Sequence, residues 1–492
     1  MKLNKLYKCD YDIDIDNISD DSRKIKKNGL FIAVKGLSVN GNKYIDKAIE
    51  NGAVAVVTDE DIKCSVPVIK VNNSNCAYNE ILNNYYDDVL NKIKIIAVTG
   101  TDGKTTVTEI IYQLMNYYTK TGYIGTNGIR TTDWSCDNHF TTPLPKDLFR
   151  VLDEFVKHKV SYVAMEASSE RLGTGKLDGV SFCASIFTNL TRDNLNVHKD
   201  MNDYAKAKAK CFKATVKDGP CIVFKDDKYS DVFINSANGV LYTYGYNSDS
   251  DVYPSNIVVS KKKLEFDIHG ILGDKHIETG LSGEFNVLNL MAVLLLFNHF
   301  SYDIDDVIEK IKLLKPIAAR QLFVECGQPF DVIVDYAHTA NAIKNLVTYV
   351  KTFNKNRVIV VVGAAGARDI GRRVETADYC VNNVDYSIFT LDDPWSEDPT
   401  YLLDSMVQNV KDYKNYELEQ NRDMAIKKAL DMANPGDAVL ILGKGLENYL
   451  KMKDKDIFRK NDYEFAKDYL NKKYNKIEVW FIIFVVLKYL LF

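Results

Sequence analysis

The sequence has no marked excess of either charge, and this absence limits the kinds of partner the protein can have. Of 492 residues, 63 are lysine or arginine and 67 are aspartate or glutamate, which gives a net charge of −4. A near-neutral chain has no general electrostatic attraction for nucleic acids or acidic membranes. We therefore expect no nucleic-acid partner.

Paired cysteines and a targeting segment are also missing. The nine cysteines form no CxxC motif, so we expect neither a structural zinc site nor a disulfide framework. Scattered cysteines of this kind are typical of a reducing cytosol. The first residues, MKLNKLYKCDYDIDIDN, lack the continuous apolar stretch of a signal peptide. Together these absences predict a cytoplasmic protein.

Long hydrophobic runs are absent except at the C-terminus. Residues 479–492 (VWFIIFVVLKYLLF) are apolar or aromatic apart from Lys488. Because a membrane-spanning helix needs about 20 such residues, we expect no stable membrane span. This tail could instead pack as an extra strand, dock on a membrane or partner, or have no function.

The rest of the sequence is typical of a large α/β protein. Hydrophobic residues make up 46% of the chain, and its length suggests about three domains. Short apolar runs alternate with helical stretches, which predicts parallel sheets covered by helices. We place domains at residues 1–91, 92–314 and 315–474, followed by a tail at 475–492. Buried strands are predicted at 30–34, 53–57, 93–98, 162–166, 184–187, 331–335, 358–362, 386–390 and 438–442. Helices are predicted at 44–51, 105–118, 400–410 and 422–433, with a helical remainder from 449 to 474.

The strongest local signal is a glycine loop between a buried strand and a helix, IIAVTGTDGKTT at residues 95–106. The amides at a helix N-terminus point outward and favour anions. Lys104 can neutralise phosphate charge, and the Thr105 hydroxyl can bind Mg²⁺. The segment therefore predicts a nucleotide-phosphate site formed by Gly100, Thr101, Asp102, Gly103, Lys104, Thr105 and Thr106.

Two further residues are candidates from their positions alone. Glu166 ends a buried strand, where its carboxylate can reach a metal ion beside the phosphate loop. Lys208 lies four residues from both Tyr204 and Phe212, on the apolar stripe of a predicted helix. We therefore expect Lys208 to face inward, whereas Lys206 and Lys210 lie on another face.

Several motifs, in order, carry a resemblance to a known family. The loop TGTDGKTT is similar to that of the Mur ligases and also to that of folylpolyglutamate synthases. The segments DSR at 21–23 with GLFIAVKG at 29–36, MEASS at 165–169, FTNLTRD at 187–193 and VDYAHT at 334–339 resemble the muramyl-tripeptide synthetases (MurE) within the Mur ligase family. Folylpolyglutamate synthases lack the N-terminal uridine-binding domain that the first of these segments indicates.

The resemblance implies a three-domain Mur ligase architecture. Its parts are an N-terminal UDP-sugar-binding domain, a central P-loop ATPase domain with a parallel sheet, and a Rossmann-like C-terminal domain that binds an amino acid. The implied activity is ATP-dependent ligation of a free amino acid to UDP-N-acetylmuramoyl-L-alanyl-D-glutamate through an acyl phosphate, in peptidoglycan precursor synthesis. A monomer that uses Mg²⁺ is expected.

The same resemblance assigns roles to individual residues. The implied catalytic residues are Lys104, Glu166, Lys208 and Asn194. The implied metal ligands are Thr105, Glu166, Asn194 and Lys208, the last as a carbamylated lysine. Beyond the loop, the implied ATP-binding residues are Asn286, Arg320 and Asp335, although Asp335 could instead cap the next helix. The implied substrate-binding residues are Ser22, Thr126, Thr141, Thr142, Ser168, Lys176, Asp392, Asp393, Trp395, Gly443 and Glu447.

The chain departs from the family pattern at several of these positions. Asn194 replaces a metal-binding histidine, and Lys176 replaces a substrate-binding arginine. Trp395 replaces the arginine of DNPR, which binds the distal carboxylate of diaminopimelate. An indole cannot form that bidentate pair, so Trp395 argues against meso-diaminopimelate, whereas Glu447 could bind an amine. The amino acid stays open. The departures also leave two alternatives: a Mur-like ligase for another carboxylate, and a catalytically impaired nucleotide-binding homologue.

Overall fold

A computed structural model describes residues 1–36, 39–138 and 140–474. The predictions for the tail at 475–492 lie outside these residues. Within the described part of the chain, no helix combines the length and the apolar character needed to cross a membrane.

The N-terminal unit is a four-stranded parallel sheet in chain order, β1 to β4. Its strands are β1 (Asn17–Ser19), β2 (Gly29–Ile32), β3 (Ala53–Thr58) and β4 (Val68–Lys70). Its helices are α1 (Leu3–Leu6), α2 (Ile45–Glu50), α3 (Ser74–Tyr85) and α4 (Val89–Lys92). The apolar runs predicted to form buried strands are β2 and β3, which lie side by side.

The central unit is built on an eleven-stranded sheet of order β15-β14-β13-β12-β11-β10-β5-β9-β6-β7-β8. Neighbouring strands are parallel from β13 to β6, and the outer strands at both edges are antiparallel. The strands are β5 (Lys94–Thr99), β6 (Thr121–Gly125), β7 (Gly128–Arg130), β8 (Ser135–Cys136), β9 (Tyr162–Glu166), β10 (Ala184–Phe187), β11 (Pro220–Phe224), β12 (Val240–Tyr244), β13 (Val252–Val259), β14 (Leu264–Gly270) and β15 (Lys275–Thr279). The helices are α5 (Lys104–Met115), α6 (Pro145–Lys157), α7 (Ser169–Gly173), α8 (Met201–Lys213), α9 (Ser230–Ile234), α10 (Phe285–His299) and α11 (Ile304–Ile311). Because β5 lies between β9 and β10, its loop opens at the middle of the sheet's carboxyl edge, where such sheets bind ligands.

The C-terminal unit has a six-stranded sheet of order β16-β17-β21-β18-β19-β20, parallel except for β16. Its strands are β16 (Leu322–Phe323), β17 (Asp331–Asp335), β18 (Val358–Ala364), β19 (Tyr386–Leu391), β20 (Tyr416–Leu418) and β21 (Ala438–Leu442), and β22 (Tyr449–Lys451) and β23 (Asp456–Phe458) form a separate hairpin. Its helices are α12 (Ala340–Phe353), α13 (Ile370–Asn383), α14 (Pro399–Met406) and α15 (Arg422–Met432). The prediction of helix from residue 449 was therefore wrong, because the hairpin comes first and the helix spans 462–474.

The hydrophobic cores fix how these units are arranged. One core runs from the N-terminal unit, through Leu30 and Ile81, to Phe149 and Phe182 on one face of the central sheet. A second core covers the other face of that sheet beneath α5 and α10. Two more cores cover the two faces of the C-terminal sheet. The first two units are thus packed around shared apolar surface, while the third has its own core.

Candidate active site

A single cleft of about 1310 Å³ brings together most of the residues singled out in the sequence. The residues of that set that line it are Thr101, Asp102, Gly103, Lys104, Thr105, Thr106, Thr126, Thr141, Thr142, Glu166, Ser168, Asn194, Lys208, Asn286, Arg320, Asp335, Asp392, Asp393, Trp395, Gly443 and Glu447. Gly100, Ser22 and Lys176 are not among the lining residues. The cleft runs from the phosphate loop of the central unit to the carboxyl edge of the C-terminal sheet.

The phosphate loop depends on two glycines in conformations that other residues rarely adopt. Gly100 has φ 148° and Gly103 has φ 83°. A Cβ atom at Gly100 would lie 1.9 Å from the Thr188 hydroxyl oxygen, so no side chain fits there. Helix α5 begins at Lys104 without a side-chain cap. Its first amides are therefore free to bind an anion.

Two cations at this loop have no acidic partner in the described part of the chain. The Lys104 ammonium donates to the carbonyl oxygens of Gly100 and Thr101, at 3.0 and 2.7 Å. Arg320 Nη2 donates to the Thr105 hydroxyl at 2.9 Å. Positive charge that protein carboxylates leave unpaired is suited to the phosphates of a nucleotide.

Lys208 is buried beneath the loop, as the helical spacing predicted. It is 1% exposed, and its Nζ donates to the Gly100 carbonyl oxygen at 2.6 Å, whereas Lys206 is exposed. Burial first, and the nearby charge of Lys104 second, hold the pKa of the Lys208 amine well below its ordinary value. The unprotonated form of the amine is therefore more populated at Lys208 than at a surface lysine.

Glu166 is fully buried at the end of β9. Its Oε1 accepts hydrogen bonds from the Tyr123 hydroxyl (3.0 Å) and the Thr126 amide (2.8 Å), and its Oε2 accepts from the Thr126 hydroxyl (3.1 Å). No cationic side chain pairs with it among the described residues. Its burial excludes an ordinary surface glutamate, and a buried carboxylate with only neutral donors is suited to a cation.

Asn194 has left-handed backbone, with φ 56°. Its Nδ2 donates to Asp193 Oδ2 at 2.5 Å, and Asp193 Oδ1 accepts from Arg372 Nη1 at 2.9 Å. Burial acts to raise the pKa of the Asp193 carboxyl, but the charges of Arg372, His338 and Lys104 outweigh it and lower that pKa. Sequence reasoning missed Asp193 as a site residue, although it is the last residue of the FTNLTRD motif.

Asp335 ends β17 and does not cap the next helix, because Thr339 is the N-cap of α12. Its Oδ1 and Oδ2 accept from the backbone amides of Ala337 and Gln321, each at 2.7 Å. Burial raises the pKa of this carboxyl. The alternative role that the sequence left open for Asp335, a helix cap, is therefore excluded.

At the other end of the cleft, three carboxylates surround a buried ammonium. Lys444 Nζ donates to Asp392 (3.3 Å), Asp393 (2.8 Å) and Glu447 (2.8 Å). Burial acts to lower the pKa of Lys444, but the three carboxylates outweigh it and raise that pKa. Sequence reasoning missed Lys444 as a site residue because nothing in its local pattern shows which acids approach it.

Trp395 lies beside this acidic cluster, also in left-handed backbone at φ 54°. Its amide donates to the Lys451 carbonyl oxygen at 2.9 Å, and Lys451 Nζ lies 5.1 Å from the centre of its ring. The indole thus presents an aromatic face that already holds an ammonium.

Near Glu166, three hydroxyl residues line the wall of the cleft. The Thr126 and Thr141 hydroxyl oxygens are 3.4 Å apart, and the Thr142 hydroxyl donates to the Glu166 carbonyl oxygen at 2.6 Å. The Ser168 amide in turn donates to the Thr142 hydroxyl oxygen at 3.0 Å. Thr142 therefore ties the end of β9 to the start of α7.

Contacts between the central and C-terminal units close the cleft at the loop. Asp102 Oδ1 accepts from the Thr339 hydroxyl, and its Oδ2 accepts from Asn341 Nδ2, both at 3.0 Å. Arg192 forms a bidentate pair with Asp369 at 2.7 and 3.1 Å. A phosphate loop on a parallel sheet, facing a second sheet domain across one cleft, defines a nucleotide-binding protein that brings a second substrate to the phosphates.

Comparison with known proteins gives the family. Residues 14–91 match the model of the Mur ligase family catalytic domain, residues 98–297 that of the Mur ligase middle domain, and residues 319–445 that of the Mur ligase glutamate ligase domain. The chain is 34% identical to the UDP-N-acetylmuramoyl-L-alanyl-D-glutamate–2,6-diaminopimelate ligase of Bacillus velezensis, over 93% of this chain and 94% of that protein. The chain belongs to the Mur ligase family, which confirms the resemblance seen in the sequence.

Two further relatives agree. The enzyme of the same name from Caldanaerobacter subterraneus is 35% identical over 90% of this chain and 92% of its own length. A solved structure of a UDP-N-acetylmuramoyl-L-alanyl-D-glutamate–2,6-diaminopimelate ligase matches with a TM-score of 0.67 and 26% identity, over 96% of this chain and 99% of that one. The predicted three-domain α/β architecture is therefore confirmed.

Proposed function

We propose that this Mur ligase is an ATP-dependent amide ligase that adds an amino acid to UDP-N-acetylmuramoyl-L-alanyl-D-glutamate in peptidoglycan precursor synthesis. The observation that carries the proposal is one cleft that joins an uncapped phosphate loop, the buried Lys208 and Glu166, and the acidic cluster around Lys444. The names of the relatives support the same substrate. The domain boundaries we propose are 1–91, 92–314 and 315–474.

The chemistry has two steps. An oxygen of the terminal glutamyl carboxylate attacks the γ-phosphorus of ATP, the bond to ADP breaks, and an acyl phosphate forms. The amine nitrogen of the amino acid then attacks the acyl carbon, phosphate leaves with the bonding electron pair, and the amine loses a proton. Lys104, Arg320 and the amides of the loop neutralise charge that develops on the phosphoryl oxygens, with Asn286 and Asp335 at the nucleotide end.

The residues present fit Mg²⁺. The ion prefers oxygen ligands. Glu166 offers a buried carboxylate that has no cationic partner among the described residues, and the Thr105 hydroxyl and the Asn194 amide line the same cleft. When bound, the ion would neutralise phosphate charge. These three residues, with Lys208 in modified form, would hold it.

Carbamylation of Lys208 fits the same surroundings. The unprotonated amine nitrogen attacks the carbon of CO₂ and loses a proton, which converts a buried amine into a carboxylate. The lowered pKa of Lys208 supports this step because only the neutral amine reacts. The modification would supply a further oxygen ligand beneath the phosphate loop.

The two substrates would bind at opposite sides of the loop. We propose that Thr126, Thr141, Thr142 and Ser168 contact the muramoyl-dipeptide, with Ser22 of the N-terminal domain at the uridine end. Lys176 stays outside this set because its ammonium pairs with Asp20 at 3.2 Å. The residues proposed for the amino acid are Asp392, Asp393, Trp395, Gly443 and Glu447.

The substrates and cysteines also bear on location. The proposed reaction uses ATP as a substrate, and all nine cysteines are free thiols. We therefore place the enzyme in the cytoplasm, acting as a monomer because one chain completes the cleft.

The proposal is tested by phosphate release from the purified full chain with ATP, Mg²⁺, the UDP-muramoyl-dipeptide and a panel of amino acids. The panel includes meso-diaminopimelate, which the relatives' names indicate. It also includes L-lysine, which is favoured because Trp395 stands where the family pattern DNPR has an arginine. We expect release that depends on both the dipeptide and one amino acid, and none from Lys104→Ala. If folded protein releases no phosphate with any of the amino acids, the proposal is overturned. Release only with another acid would select the alternative ligase.

A further inference from the structure

Among the cations that line the cleft, several have no role in the scheme above, and the largely buried Arg171 is one of these. Arg171 lies in α7 and lines the same cleft as Thr141 and Thr142. It belongs to the segment SSERL at residues 168–172. Its side chain is only 9% exposed, which is unusual for an arginine without a ligand or a full set of partners.

The bonds of Arg171 hold its guanidinium in place but do not use all of its donors. Nε donates to the Thr142 carbonyl oxygen at 3.2 Å, and Nη1 donates to Glu170 Oε1 at 2.7 Å. The guanidinium carbon lies 4.8 Å from the centre of the Phe140 ring. Among the described residues, Nη2 has no hydrogen-bond acceptor. Within the described part of the chain, a fixed side chain that is nine-tenths buried therefore keeps one donor unpaired at the wall of the cleft.

Lys176, the cation to which the family resemblance gave a substrate-binding role, is already paired with a carboxylate. Lys176 Nζ lies 3.2 Å from Asp20 Oδ2, and its side chain is 12% exposed. Asp20 belongs to the N-terminal domain, so this ion pair joins two domains. Since Lys176 does not line the cleft, the chain needs another residue for an anionic group on the muramoyl-dipeptide.

We propose that Arg171 is this residue, a substrate-binding group that recognises the free carboxylate of the terminal glutamyl residue. The inference rests on the proposed function. A terminal glutamyl residue carries two carboxylates, of which one is phosphorylated and the other stays ionised. A guanidinium fixed by Thr142 and Glu170 offers a directed, charge-assisted donor to that second carboxylate. The Thr141 hydroxyl, which lines the same cleft, offers the carboxylate an additional donor.

The test compares two nucleotide substrates, the UDP-muramoyl-dipeptide and an analogue whose second glutamyl carboxylate is a carboxamide. For the wild-type chain we expect kcat/KM to be at least about tenfold higher for the acid, as a charge-assisted hydrogen bond implies. In Arg171→Ala this ratio should fall to about one. In Arg171→Lys it should be smaller than in the wild type but still above one, because lysine retains the positive charge without the bidentate geometry of a guanidinium. A structural role would lower both kcat/KM values and leave their ratio unchanged.

The controls separate the possible failures. Lys176→Ala should keep the acid-to-amide ratio, and Arg150→Ala, an exposed arginine on α6, should keep it too. If the ratio persists in active Arg171→Ala but disappears in Lys176→Ala, the inference is overturned. If Arg171→Ala does not fold, an unchanged ratio in Arg171→Lys together with a lost ratio in Lys176→Ala overturns it equally. A wild-type chain that turns over neither substrate with any amino acid contradicts the proposed function instead.

Discussion

Arg320, at the start of the C-terminal domain, donates a hydrogen bond to the hydroxyl of Thr105, in the first turn of the helix after the phosphate loop. The two residues are 215 positions apart in the sequence. The guanidinium also lies 5.0 Å from the centre of the Tyr336 ring. One arginine thus links the domain that would bind the amino acid to the helix that would bind ATP.

Arg320→Ala should weaken ATP binding. Loss of one charge-assisted contact to the nucleotide should raise the KM for ATP about tenfold, while the KM for the amino acid changes little. Arg320→Lys should have an intermediate KM for ATP, because a lysine ammonium keeps the charge but cannot reproduce the bidentate geometry of a guanidinium. Steady-state kinetics with ATP varied measure the effect, and an unchanged KM for ATP would show that Arg320 only joins the domains.

Lys208→Met should abolish ligation and stabilise the fold. A buried amine is costly, and its removal should raise the free energy of unfolding by about 1–3 kcal/mol at neutral pH. The pKa of Lys208 is lower in the folded chain than its ordinary value of 10.5. Between these two pKa values the unfolded state binds more protons than the folded state. The free energy of unfolding of the wild type should therefore rise with pH until the pH reaches the ordinary pKa of lysine.

The measurement is thermal unfolding of Lys208→Met against wild type across pH, with phosphate release in parallel. Lys206→Met, on the exposed face of the same helix, is the matched control and should change neither quantity. A Lys208→Met chain less stable than wild type at neutral pH would contradict the view that the amine destabilises the fold.

The bidentate pair of Arg192 and Asp369 should support closure of the cleft. Because the Arg192 side chain is 39% exposed, we expect a coupling of only about 0.5–1 kcal/mol between the two residues in a double-mutant cycle. Arg192→Ala and Asp369→Asn should each lower kcat/KM a few-fold, with a smaller effect at high salt.

A third variant tests the same contact without removing a charge. A Cβ at Gly371 would lie 2.0 Å from Arg192 Nη2, so Gly371→Ala should displace the guanidinium and reproduce the effect of Arg192→Ala. Kinetics at two salt concentrations measure this. Full activity in all three variants would show that the pair does not stabilise the closed cleft.

Trp395→Arg should change which amino acid is used. A guanidinium next to Asp393 would offer a partner for a distal carboxylate, so the ratio of kcat/KM for meso-diaminopimelate to that for L-lysine should rise at least about tenfold. Trp395→Phe, which keeps an aromatic face, is the control. If neither variant moves the ratio, the side chain at 395 does not select the amino acid.

Much of the site was predictable because its signals are local. The phosphate loop depends on glycines and a helix start within a few residues, and the inward direction of Lys208 follows from a spacing of four on one helix. Helix ends were predicted less well. Helix α14 ends at Met406 rather than at residue 410. Val407 and Val410 are buried, so their apolar pattern continues although the chain has already left the helix.

The sequence by itself determined the family, the alternation of strands and helices and the residues of the phosphate loop, since each follows from motifs and spacings of near neighbours in the chain. Only the tertiary structure decided which charges meet. Lys444 contacts Asp392 across 52 positions, Asp102 contacts Asn341 across 239, and Lys176 contacts Asp20 rather than the cleft. The physical reason is that an ion pair depends on where distant segments pack, so residue type alone could not show that Arg171, and not Lys176, carries the open donor in the cleft.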